Sequence, residues 1–168
     1  MSAARCKVHW IDGVSPGRLG TMAHPYGAEF LPAQMEALRR EGVQTVVSLL
    51  EPYDAEVLQL QDERPCCEGA GLRFLAFPIQ DHGVPEDPAE ARAFALKLKQ
   101  EIEAGRSVAV HCFAGIGRAT LMAACTLILL GLKADEALDR ISAARGMRVP
   151  DTREQEDWVR RFAETMTP

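Results

Sequence analysis

The sequence has no surplus of positive charge: 19 Lys and Arg stand against 24 Asp and Glu, a formal net charge of −5. Nonspecific binding to a nucleic-acid backbone needs clustered cations that release counterions, so this balance argues against nucleic acid as a partner. A membrane-length apolar run is also missing. The longest, Ala119 to Leu132, covers about 14 residues, short of the ~20 needed to cross a bilayer, and reads as a buried helix. Met1 to Trp10 carry Arg5, Lys7 and His9 and no apolar stretch, so no secretory leader and no membrane attachment are expected, and the reading is cytoplasmic. The five cysteines are odd in number and irregularly spaced, which suits reduced thiols in that compartment better than a disulfide framework. The adjacent Cys66 and Cys67 have no second ligand pair nearby and read as ordinary loop thiols, so no metal is assigned. With no repeat and no Ser/Gly linker, the 168 residues are read as one domain, 1–168.

What is present is an ordinary globular composition, 47% hydrophobic and 26% charged, enough apolar material for a core. Val43 to Leu50, Leu72 to Phe77 and Ser107 to His111 are short β-prone runs with the look of strands buried on both faces, and a weaker one lies near Val8 to Ile11. Helical spacing marks Pro32 to Glu41, which stops at Gly42. A second helix follows Asp87, with Pro88 at its first position, Glu90 completing a capping box and Gly105 past its end. Ala119 to Leu130, Asp135 to Ala144 and a stretch from a box at Asp151 and Glu154 to about Met166 supply three more. The alternation predicts an α/β fold: a central, mostly parallel sheet of four to five strands flanked by helices. Ligands gather at the carboxyl ends of such strands.

After Ser107 to His111 the chain reads His111-Cys112-Phe113-Ala114-Gly115-Ile116-Gly117-Arg118, then enters the apolar helix. A loop closing on a helix N-terminus can turn its backbone N–H groups toward one point, an anion nest reinforced by the helix dipole. Gly115 and Gly117 permit the positive φ and close approach this needs. The same field favours the thiolate form of Cys112, a nucleophile. Arg118 can return to that point and fork two N–H bonds onto a phosphoryl group. His111 is given the supporting role of holding the loop's carbonyls. Taken singly, Cys112 reads as a small buried hydrophobe and Arg118 as a helix-start cation; together in one stretch they read as a site.

This pattern resembles the cysteine-dependent protein tyrosine and dual-specificity phosphatases, whose signature is His-Cys-x5-Arg, and is most similar to their small single-domain group. Pro16-Gly17-Arg18-Leu19, Val47-Ser48-Leu49-Leu50-Glu51, Phe77-Pro78-Ile79-Gln80-Asp81 and Glu154-Gln155-Glu156 resemble that group's other landmarks, in order. The resemblance implies a strand–loop–helix nucleophile site in which Cys112 attacks, Phe113 to Gly117 and Arg118 bind the phosphate, and Asp81 protonates the leaving oxygen and later activates water. It also implies that Gln155 positions that water and Glu51 braces Arg118. Asp87, the competing acid, is better explained as a helix cap. His82 reads as a solvent-facing loop residue, and Arg145 and Arg148 as surface cations, one of them near the phosphate. Where the family has Ser or Thr after the Arg, this chain has Ala119, with Thr120 next. Unless Thr120 or a water substitutes, hydrolysis of the phosphocysteine should be slowed, with attack retained.

The expected function is phosphomonoester hydrolysis without cofactor, on phosphotyrosine and also phosphoserine or phosphothreonine in proteins or peptides, by a monomer. A phosphate-binding pseudophosphatase, motivated by Ala119, is the alternative. A phosphoinositide substrate is a further one, demoted because the five loop residues contain no extra cation. Sulfur transfer of the rhodanese type is weaker still, since it gives Asp81 no task.

Overall fold

The computed structural model describes residues 6–166; residues 1–5, part of the stretch read for a leader, and 167–168 lie outside the described residues. One sheet contains β1 (His9–Trp10), β2 (Arg18–Met22), β3 (Thr45–Ser48), β4 (Arg73–Ala76) and β5 (Ser107–His111), in the order β1-β2-β5-β3-β4. Only β1 is antiparallel to its neighbour; β2, β5, β3 and β4 run parallel. The α/β expectation is met, with two changes.

Strand β2 was not foreseen, because RLGTM is short and interrupted by Gly20. Its state comes from pairing with all five residues of β5, from Arg18 opposite Ser107 to Met22 opposite His111. Gly20 is there for space: a Cβ would lie 2.6 Å from Val8 and 3.0 Å from Trp10. Strand β4, expected to be buried on both faces, is instead a partly exposed edge strand, since among the described residues nothing pairs beyond it in the sheet.

The helices are α1 (Leu31–Arg40), α2 (Pro52–Val57), α3 (Glu63–Gly69), α4 (Pro88–Glu103), α5 (Arg118–Leu129), α6 (Ala134–Arg145) and α7 (Arg153–Glu164). The two short ones, α2 and α3, escaped periodicity because each spans barely two turns. Asp87 caps α4 by accepting from the Ala89 N–H at 2.8 Å, without the reciprocal Glu90 bond. The box opening α7 sits one residue later than expected. Thr152 Oγ1 accepts from the Gln155 N–H at 3.1 Å, and Gln155 Oε1 accepts from the Thr152 N–H at 3.2 Å. This frees Asp151 to face the cleft described below.

Side-chain alternation along β5 divides the core. Val108 and Val110 pack with Leu98 and Ile102 of α4, Leu121 and Met122 of α5, and Val159 of α7. Ala109 faces the other layer, with Met35 and Leu38 of α1, Val46 of β3 and Cys67 of α3. Helix α5 is buried along almost its whole length, which is why it reads as an unbroken apolar run. Burying each of its large side chains is worth about 1.5–3 kcal/mol. Among the described residues no helix is long and apolar enough to cross a membrane. The parallel strands bring the ends of β3, β4 and β5 to one side, where the following loops meet.

Candidate active site

Cys112 follows β5 directly and lies at the floor of a cleft of about 240 Å³ lined by Asp81, His82, Phe113, Ala114, Ile116, Gly117, Arg118, Asp151 and Gln155. The loop ends on the N-terminus of α5, whose cap Gly117 has no side chain to satisfy the first-turn N–H groups. Those donors and the positive end of the helix are left for an anion. The two glycines do different work. Gly115 has φ +74°, and a Cβ on it would lie 2.4 Å from the Met22 carbonyl oxygen, so the loop seats on the end of β2. Gly117 has φ −90°, contrary to the positive φ allowed for it. It is small because a Cβ would fall 2.9 Å from the Gln155 amide. The His24 N–H donates to the Phe113 carbonyl at 3.0 Å, a second tie from the β2 end to the loop.

Arg118 is almost completely buried, with 2% of its side chain exposed, so its charge needs partners. Nη1 donates to Asp54 Oδ2 at 3.0 Å and to the Ile79 carbonyl at 2.9 Å; Nη2 donates to Asp81 Oδ1 at 3.1 Å. A guanidinium has five N–H donors. Nε–H and the second Nη2–H meet no acceptor among the described residues, leaving two donors for an anion's oxygens. Glu51, expected as the brace, does not touch Arg118. It precedes α2 and its N–H donates to Asp54 Oδ2 at 3.1 Å, so the bracing falls to Asp54, one turn into the helix.

Asp81 lies on the cleft rim, its side chain 50% exposed, and its Oδ1 accepts from Arg118 and, at 3.0 Å, from the His82 N–H. His82, read as solvent-facing, is indeed exposed but not idle: its ring lies 2.9 Å from Asp151 Oδ2 and 3.7 Å from Asp81 Oδ2. Gln155 is buried and donates from Nε2 to the Gly83 carbonyl at 3.1 Å, holding the loop that follows Asp81 against α7. Asp87 is spent on its cap.

Thr120 does not stand in for the hydroxyl missing at Ala119. It points into the core, outside the cleft lining, and its Oγ1 is buried without a partner. Neither Arg145 nor Arg148 lines the cleft; Arg148 sits on the neighbouring surface and pairs with Glu156. His111, expected to hold the loop's carbonyls, has Nδ1 3.2 Å from the Cys112 carbonyl. Its Nε2 lies 2.5 Å from Oε1 of Glu63, a residue in α3 with no local sequence signal. Asp54 left a faint one, since Glu51 and Asp54 have the spacing of a helix-start box.

The remaining thiols are held protonated. Burial pushes Cys125 well up, Cys67 up to about 12 and Cys6 up to about 11, with the Glu63 charge adding to the last two. Among the described residues all five cysteines are unpaired, and no group of three His, Cys, Asp or Glu side chains forms a metal site.

A family model described as "PTP-SAK: Swiss Army Knife protein, DSP-PTPase phosphatase domain" matches residues 8–165. The chain belongs to this DSP-PTPase phosphatase domain family. Among curated proteins of similar sequence are a PRL-1 phosphatase of Drosophila melanogaster, 36% identical over 110 residues, and the protein tyrosine phosphatase type IVA 2 of Mus musculus, 33% identical over 111. The alignments cover 64% and 66% of this chain but only 57% and 62% of those proteins, so the chain spans about three fifths of the relatives it matches. The fold is that of the kinase associated phosphatase (TM-score 0.87, 21% identity, 98% of each chain covered). Tk-PTP in its active form shares it as well (TM-score 0.77, 23% identity, 95% and 97% covered). The family assignment agrees with the resemblance carried by the His-Cys-x5-Arg loop.

Proposed function

We propose that this chain is a phosphomonoester hydrolase that removes phosphate from phosphotyrosine, and also from phosphoserine or phosphothreonine, in proteins or peptides. The observation that carries the reading is the convergence of Cys112, a buried Arg118 with two free donors, and Asp81 in one cleft. In the first step Cys112 Sγ attacks phosphorus, the S–P bond forms, and the ester P–O bond breaks as Asp81 gives its proton to the departing oxygen. Arg118 and the α5 N-terminus hold the equatorial oxygens, whose charge grows in the transition state. In the second step the Asp81 carboxylate takes a proton from water, which attacks phosphorus and frees the thiolate. Gln155, whose amide lies beside Gly117 and bonds the loop of Asp81, is the residue we assign to orient that water.

The contact between Asp81 and Arg118 implies an order of events. Asp81 rests on Arg118, and an arriving phosphate competes for the guanidinium, turning Asp81 toward the leaving group. Because Ala119 and Thr120 give the sulfur no hydroxyl donor, the second step is the slower one. The cleft's single cation and its carboxylates, Asp81 and Asp151, favour a monoester over a polyphosphorylated headgroup. Unpaired thiols fit a reducing, cytoplasmic setting, and we assign a monomeric catalytic domain that needs no metal or cofactor.

Hydrolysis of p-nitrophenyl phosphate and of phosphotyrosine peptides tests the reading. A burst followed by steady, vanadate-sensitive release that disappears in Cys112→Ser supports it. Phosphate binding without release would leave a pseudophosphatase, and a persulfide on Cys112 would point to sulfur transfer.

A further inference from the structure

The reaction proposed above uses Cys112, Arg118 and Asp81, and leaves unexplained a buried carboxylate directly behind the nucleophile. Glu63, on α3, has 3% of its side chain exposed, and its Oε1 lies 2.5 Å from Nε2 of His111, which is fully buried. A buried carboxylate and imidazole are costly unless they satisfy one another. Helix α3 has another hold on the core through Cys67, packed on Met35, so its docking does not depend on a charged pair.

The hydrogen-bond inventory of His111 restricts where its protons sit. Nδ1 faces the Cys112 carbonyl oxygen at 3.2 Å, which can only accept, so Nδ1 must carry a proton. Without Glu63 that Nδ1–H tautomer would rest on the single 3.2 Å bond to the carbonyl, and Nε2 would be left buried with no partner to hold the ring. With Glu63 present, one further proton lies between Oε1 and Nε2, whether drawn as carboxylate with imidazolium or as carboxylic acid with neutral imidazole. Both drawings have the same proton count and both keep Nδ1–H on Cys112. A carboxylate on Nε2 of a neutral ring would draw the single proton away from Nδ1; it is the further proton shared with Oε1 that lets both contacts of His111 be made at once.

We propose that Glu63 is a positioning residue for the nucleophile: it locks the proton of His111 on Nδ1 and thereby fixes the peptide of Cys112, from which the phosphate-binding loop departs. Glu63 touches no reacting atom and acts only through His111. The assignment rests on Cys112 being the nucleophile, and it makes Glu63 the innermost member of a relay from α3 to the loop.

The test compares Glu63→Leu with Glu63→Gln in the full chain, after circular dichroism and melting have shown which variants fold. Two measurements do not require turnover. Nitrogen-15 spectra of the histidines in the wild type should show one exchange-protected ring with protons at Nδ1 and in the bond to Glu63. The Glu63→Leu variant should lose that pattern, and iodoacetamide should label Cys112 in it roughly tenfold more slowly, the factor expected for one lost charge-assisted hydrogen bond. Glu63→Gln, whose amide can donate to Nε2 and keep the proton on Nδ1, should recover most of the labelling rate. A folded Glu63→Leu protein that labels at the wild-type rate, or a wild-type ring with a bare Nδ1, overturns the proposal. If Glu63→Leu does not fold, the wild-type spectrum and Glu63→Gln still decide. Absence of phosphatase activity with the labelling differences intact would sink the proposed function and not this assignment.

Discussion

Replacing Asp81 by Ala should lower kcat and tighten binding in the same protein, because the side chain has two engagements in the structure. As proton donor it is expected to contribute about 10²–10⁴ in rate, which corresponds to about 2.7–5.4 kcal/mol of barrier. As a partner of Arg118 at 3.1 Å it offsets part of the positive charge that attracts the phosphate. That pair must open when substrate binds, but Asp81 is half-exposed and the attraction is screened, so the cost is about 0–1 kcal/mol. Removing the carboxylate should therefore improve vanadate affinity by up to about fivefold. The assay is steady-state kinetics with p-nitrophenyl phosphate and with a phosphotyrosine peptide, alongside vanadate titration. A tyrosine oxygen, with its pKa near ~10, needs the donated proton far more than nitrophenolate does, so the loss should be much larger for the peptide. Asp87→Ala serves as the control: it loses the bond to the Ala89 N–H and about 1 kcal/mol of stability, with kcat retained. An equal loss for both substrates, weaker vanadate binding, or a kcat collapse in Asp87→Ala would refute the assignment of the acid.

Gly115→Ala places a Cβ 2.4 Å from the Met22 carbonyl at φ +74°, a strain of about 1–2 kcal/mol before the clash is counted; kcat/KM should fall by at least about tenfold, and an active, unshifted variant would show that the loop does not seat on β2. Burial raises the Cys125 and Cys67 thiols above their unfolded value, so folded protein binds more protons in alkali. The stabilisation is complete below the ordinary thiol pKa of about 8.5 and is lost as pH rises from there toward 12. Urea midpoints should fall between pH 8 and pH 10, and Cys125→Ala should flatten that fall; an unchanged slope would exclude the buried thiols as its source.

The features legible in the chain were those whose cause is local. The loop from His111 to Arg118, the start of α4 at Asp87 and the apolar run of α5 are each written within one or two turns of sequence. They announce an anion cradle, a cap and a buried helix before any tertiary contact exists. Asp81 could be singled out because it follows a β-prone run, and parallel strands deliver their ends to one side.

What tertiary structure alone decided is which distant groups meet. Strand β2 exists because β5 offers it five partners, and α2 and α3 are too short to declare themselves by periodicity. The brace on Arg118 is Asp54 and not Glu51, and Glu63 reaches His111 across 48 positions. The tie of Asp81 to Arg118 likewise depends on two loops from different strands closing on one cleft. Hydrogen bonds and ion pairs between remote segments depend on distances set by packing, and spacing along the chain carries no record of them.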